Sequence, residues 1–160
     1  MLLMFDVKKN KAICVLPWVH EFKKIDGKTA PCCQGNELVD GESIAGIREA
    51  MLKGIKPRAC NSCYKTESES GGSPRIQETN NWVAKFGEPD IEKPQLQFVD
   101  MRYDPTCNLK CKTCGPRDST LWQKEKGVKI PVNEANENYL NVVDKKILKK
   151  VYLAGVNQLH

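Results

Sequence analysis

The stretch QLQFVDMRYDPTCNLKCKTCGP, residues 95–116, decides the architecture. Its first part is extended, because Leu96, Phe98, Val99 and Met101 make residues 96–103 a largely buried strand. A cysteine-rich loop follows at once, in which Cys107, Cys111 and Cys114 are separated by three and then two residues. Positions i, i+4 and i+7 also suit a buried cysteine stripe along one helix face. Pro105 just before and Gly115-Pro116 just after leave little room for a regular helix, and Lys110 and Lys112 mark a polar, accessible loop. Thiolates are soft donors that suit iron–sulfur clusters. A compact loop with these spacers can turn three sulfurs toward one cuboidal cluster while leaving one iron without a protein ligand.

Downstream, the pattern predicts a helix over residues 118–126, another over 134–150, and an apolar strand over 151–154 that leads to Gly155. Strand, loop, helix and strand in this order open a parallel α/β sheet. Upstream, alternation around residues 19–25 and the Asp26-Gly27 turn signal predict a hairpin, with Cys14 and Cys32 at its two ends. Ile44, Ile47, Met51, Leu52 and Ile55 recur at helical spacing, so residues 43–55 read as an amphipathic helix with Ser43 as N-cap. Residues 68–73 read as a mobile connector and residues 74–86 as a second helix ending at Gly87. The segment 88–94 carries Pro89 and Pro94 and is the expected boundary between an N-terminal domain, 1–90, and a second, 91–160. No internal repeat is visible.

The N-terminal part carries its own cysteines: Cys14, then Gly27 followed by four residues and Cys32, and later Cys60-Asn61-Ser62-Cys63. A pair two residues apart is the recurrent bite of tetrathiolate sites, since a tight turn presents both sulfurs to one centre. Cys14 and Cys32 complete four ligands. Spacing alone admits either a structural Zn2+ or a cluster. Cys33 is a spare thiol, an alternative to Cys32 or a small buried hydrophobe. His20 reads as a structural residue of a strand, and Pro17-Trp18 is expected to pack over the cysteine site and keep solvent out. Ser119 and Trp122 follow the second cysteine loop closely enough to approach a cofactor, although a helix cap and a core aromatic explain them equally well.

Composition narrows the rest. With 160 residues the chain is too short for a complete (β/α)8 barrel, which needs roughly 250. Its 25 Lys and Arg against 20 Asp and Glu are scattered in short runs, so nucleic-acid binding is not expected. No apolar run approaches the roughly 20 residues of a membrane span. Residues 1–5 lack the basic start and small-residue cleavage site of a secretory signal, which makes the cytoplasm the expected compartment. There, eight clustered cysteines point to metal or redox chemistry and not to disulfides.

At Cys107, Cys111 and Cys114 the sequence resembles the radical S-adenosylmethionine (radical SAM) superfamily, whose signature is this spacing on the loop after the first barrel strand. The resemblance implies an α/β fold in which an α+β cluster domain precedes the first strand-helix units of a partial (β/α)6 barrel. It also implies that the three cysteines hold a 4Fe-4S cluster whose fourth iron binds the amino and carboxylate groups of S-adenosyl-L-methionine. One electron from that cluster, supplied by a donor such as a flavodoxin or ferredoxin, then yields a 5′-deoxyadenosyl radical that abstracts hydrogen from a substrate, which in relatives with auxiliary clusters is often a peptide. Thr113 stands where the family commonly has an aromatic residue. Cys14, Cys32, Cys60 and Cys63 are similar to the twitch and SPASM modules of such enzymes, which implies an auxiliary 4Fe-4S cluster, with Zn2+ as the alternative. A non-catalytic zinc or electron-transfer module is the competing reading of the whole chain. The family's second barrel strand usually ends in Gly-Gly-Glu-Pro, a turn that receives the cofactor's amino group, and only Gly155 matches it here. The genetic code permits one inserted guanine before the Val156 codon to turn Val-Asn-Gln into Gly-Glu-Pro, so the ending reads as a frameshift and the chain as a truncated fragment with little turnover.

Overall fold

In the computed structural model, which describes residues 4–24, 26–102, 107, 109–112, 114–117, 119–131 and 146–154, the decisive strand is β3, Phe98–Arg102. It pairs in parallel with β4, Lys150–Ala154, in the register Phe98↔Lys150 and Val99↔Val151. On its other side it pairs in parallel with β1, His20–Lys23, in the register His20↔Phe98. Antiparallel to β1 lies β2, Thr29–Ala30, which completes a mixed four-stranded sheet in the order β2-β1-β3-β4. Helices and a mixed sheet built on parallel pairs make this an α/β fold. The sheet runs across the segment 88–94, since β1 and β3 come from either side of it.

The hairpin forms, but with a longer loop than the two-residue turn expected at Asp26-Gly27. Lys23 pairs with Thr29, Lys24 N–H donates to the Lys28 carbonyl at 3.0 Å, and Gly27 takes φ 79°. Ahead of it, Leu16–Val19 form a one-turn helix, α1, that the alternating pattern concealed; Pro17 sits in its first turn, where its missing N–H costs nothing. Helix α2, Ile44–Leu52, begins as expected with Ser43 Oγ accepting from Gly46 N–H at 3.0 Å. It ends three residues short of Ile55. Gly54 adopts φ 74° and the Ile55 amide folds back to the Ala50 carbonyl at 2.8 Å, leaving Leu52 and Ile55 exposed while Ile47 and Met51 are buried.

Residues 68–73 are not all connector. Helix α3, Asn61–Ser70, takes up the first three and stops at Gly71, φ 76°. Helix α4, Pro74–Phe86, has the predicted bounds, with Ser73 as N-cap, Pro74 at the first position and Gly87 after the end. Helix α5, Thr120–Lys126, is capped by Ser119 and closed by Gly127 at φ 63°. Of the helix expected over 134–150, residues 134–145 lie outside the described residues, 146–149 are not helical, and Lys150 begins β4. The amides of Lys149 and Lys150 both donate to the Gln97 carbonyl, at 2.7 and 3.1 Å, and this draws the segment into the sheet.

Phe5, Ile13, Val15, Trp18, Met51 and Trp82 centre the core, where α1 meets α2 and α4. Trp18 packs edge-on against Phe5 with centroids 5.1 Å apart and donates its indole N–H to the Ile91 carbonyl at 3.3 Å. Truncation of such a buried aromatic costs about 3–5 kcal/mol. No helix among the described residues is long and apolar enough to cross a membrane.

Candidate metal centre

Cys14, Cys32, Cys60 and Cys63 line one cavity of about 340 Å³, with Leu16 and Phe98 as apolar wall. Each arrives on a different local device. Cys14 directly precedes the turn into α1, and its flanking backbone is held by side chains of α3 and α4. Tyr64 hydroxyl donates to the Ala12 carbonyl at 2.8 Å, and Val15 N–H donates to Thr79 Oγ1 at 3.1 Å. Cys32 follows β2, so Gly27 of the glycine, four-residue, cysteine spacing is the residue that reverses the hairpin. Gly35 closes the Cys32 loop, its N–H donating to the Cys32 carbonyl at 3.0 Å; a Cβ there would stand 2.9 Å from the Pro31 ring.

Cys60 and Cys63 do not share a simple turn. Cys60 ends a 3-10 segment, Arg58–Cys60, and Cys63 lies in the first turn of α3. Two bonds join this segment to the Cys32 loop. Asn36 N–H donates to the Ala59 carbonyl at 2.8 Å, and Ser62 hydroxyl donates to the Gln34 carbonyl at 2.7 Å.

No disulfide links any of the eight cysteines. Burial pushes the Cys14, Cys32 and Cys60 thiols up to about 12, against the smaller pull of Leu16 and Gln34 main-chain bonds to the Cys14 and Cys32 sulfurs. Without a metal these thiols are therefore neutral near pH 7, and a bound metal would displace their protons. Among the described residues, no three His, Cys, Asp or Glu side chains stand close enough to hold a single metal ion. A zinc ion with Zn–S of about 2.3 Å needs its sulfurs in near contact. Four thiols around one cavity are a soft donor set of the kind that suits Zn2+ or an iron–sulfur cluster. Cys33 also lines the cavity but is exposed, whereas Cys32 packs against the core.

His20 is structural in part and something more in place. Its Nδ1 lies 3.3 Å from the Pro31 carbonyl, next to Cys32, its ring lies 4.2 Å from that of Phe98, and it lines the cysteine cavity. Burial pushes its pKa down to about 4, so it is neutral. Pro17 and Trp18 do not cover the cysteines. They face a second cavity of about 260 Å³, because α1 turns Leu16 toward the sulfurs and Trp18 into the core.

The second cysteine set follows the C-terminal end of β3. The described part of residues 107–114 is not helical, and Cys114 N–H donates to the Cys111 carbonyl at 3.0 Å in a turn, so the cysteine-stripe arrangement does not form. Cys107 and Cys114 are half-buried and Cys111 is exposed. Ser119, fully buried, has its hydroxyl 2.7 Å from the Leu109 carbonyl and 3.1 Å from that of Cys107, and accepts from Trp122 N–H at 3.4 Å. Trp122 donates its indole N–H to the Cys111 carbonyl at 3.2 Å. Both residues therefore hold the loop from behind as well as building α5. Thr113 and Gly155 lie outside the described residues.

Sequence reading missed Arg75, Tyr64 and Thr79, whose bonds to residues 12–15 span more than 50 positions and leave no local signal. Comparison with protein-family models, curated proteins and solved structures finds no match for this chain.

Proposed function

We propose that the protein is a radical SAM iron–sulfur enzyme with two cluster sites. Cys107, Cys111 and Cys114 hold a 4Fe-4S cluster with one open iron for S-adenosyl-L-methionine, and Cys14, Cys32, Cys60 and Cys63 hold an auxiliary cluster. When bound, the first cluster supplies one electron that cleaves the sulfonium carbon–sulfur bond of S-adenosyl-L-methionine, releasing methionine and a 5′-deoxyadenosyl radical for hydrogen abstraction. The chain's own contribution is to hold three thiolates on a non-helical loop, with Ser119 and Trp122 bonded to its carbonyls. The observation that carries the reading is that this loop leaves the C-terminal end of a parallel strand, where barrel enzymes bind their reactants. A cytoplasmic setting and a flavodoxin- or ferredoxin-type donor belong to the same proposal, as does a substrate of the peptide class.

The test is anaerobic reconstitution with iron and sulfide, followed by dithionite and S-adenosyl-L-methionine. Release of 5′-deoxyadenosine that disappears on joint replacement of Cys107, Cys111 and Cys114 by Ala is the expected result. A fully loaded cluster that neither binds nor cleaves S-adenosyl-L-methionine would instead make the chain an electron-transfer module.

A further inference from the structure

We infer that Arg75, held by Glu67, is a positioning residue for the N-terminal centre, fixing Cys14 and supplying the positive charge that its cluster feels. The inference rests on the auxiliary-cluster reading above. Arg75 is the second residue of α4, is only 2% exposed, and lines the cysteine cavity. Its Nε and Nη2 each donate to one oxygen of the Glu67 carboxylate at 2.7 Å, and its Nη1 donates to the Ile13 carbonyl, one residue before Cys14. The guanidinium also lies over the Tyr64 ring, 5.4 Å from its centroid, and Tyr64 in turn holds Ala12. A fork gripped at three of its donors has no freedom to move, and neither has the main chain it holds.

Packing alone does not call for such a pair. Burying the Arg75 guanidinium against a mostly covered Glu67 carries a desolvation penalty, and an apolar pair of similar volume serves stability as well or better. A charge on the cavity wall has a specific use beside a cluster, because four thiolates outweigh the positive charge of the iron–sulfur core and leave the site anionic. Reduction adds one more negative charge, which a nearby cation favours and a nearby anion opposes. Arg75 lines the same cavity as Cys14 and Cys60, and its Nη1 bonds the carbonyl one residue before Cys14, while Glu67 stands behind it, outside the cavity lining.

The two charges must therefore move the cluster's potential in opposite directions, which a merely structural role would not do. The full chain, with Cys107, Cys111 and Cys114 replaced by Ala to leave one cluster, is reconstituted and titrated under EPR. R75Q is expected to lower the midpoint potential and E67Q to raise it, while R75K keeps the iron content and stays near the parent. Should R75Q fail to load, the rise in E67Q carries the test by itself. A cluster whose potential is unmoved in E67Q, or moves the same way in both, overturns the Arg75 inference alone. A parent chain that takes up no iron and sulfide at this site overturns the auxiliary-cluster reading and the inference with it.

Discussion

Arg117, three residues after Cys114, donates from Nη1 to Glu37 Oε1 at 2.7 Å, so a side chain beside the second cysteine loop is tied to one beside the first. Glu37 also accepts from Lys24 Nζ at 3.0 Å and Lys28 Nζ at 3.1 Å, and its main-chain carbonyl accepts from Arg58, two residues before Cys60. One residue thus gathers the hairpin, the Cys60 segment and the Cys114 loop.

Hydrogen bonds from Arg117, Lys24 and Lys28 hold the Glu37 carboxyl down at about 2. A carboxylate whose folded pKa lies below its unfolded value stabilises the fold above the ordinary carboxylate range, and that stability is lost as pH falls from there toward 2. The network is partly solvated, so a double-mutant cycle of Glu37→Gln with Arg117→Gln should give a coupling of only about 0.2–1 kcal/mol at neutral pH. Denaturant unfolding of the metal-free protein checks this, with the coupling vanishing by about pH 2.

Ser119→Ala removes a helix cap and a bond to the cysteine loop in one step. The cap is worth about 0.5–2 kcal/mol, and the Leu109 carbonyl loses its hydroxyl partner as well, so destabilisation of about 1–3 kcal/mol is expected. Iron should leak faster from the Cys107 site than from the N-terminal one. Thr120→Ala, which loses one exposed bond to the Cys107 carbonyl at 3.2 Å, should cost much less. Thermal melts with iron release per site measure both, and equal loss from the two sites would make Ser119 a stability residue only.

Local signals were legible at several helix ends. Ser73, Pro74 and Gly87 bracket α4, and Ser43 starts α2, because caps and φ preferences act within a turn. Hydrophobic periodicity misled where a glycine overrode it: the stripe continues to Ile55, but Gly54 ends the helix first. Helix α3 escaped notice because its second half, rich in Ser and Glu, has no apolar stripe to show, and its buried residues, Cys63 and Tyr64, both lie in its first half. The parallel pairing of β1 with β3 joins residues more than 70 positions apart and could not be read locally. In the same way the cysteines were legible by spacing, whereas the Arg75–Glu67 pair that holds the Ile13 carbonyl beside Cys14 was not.

The central claim is that one chain carries two separate cluster sites. Iron and acid-labile sulfide per chain after anaerobic reconstitution, taken with Mössbauer spectra, test it most directly. The account predicts about eight irons in the parent, since each 4Fe-4S site holds four. It predicts about four when Cys107, Cys111 and Cys114 are replaced together, and about four when Cys14, Cys32, Cys60 and Cys63 are. A colourless protein with one tightly bound zinc, or loss of all iron in either variant, would contradict it.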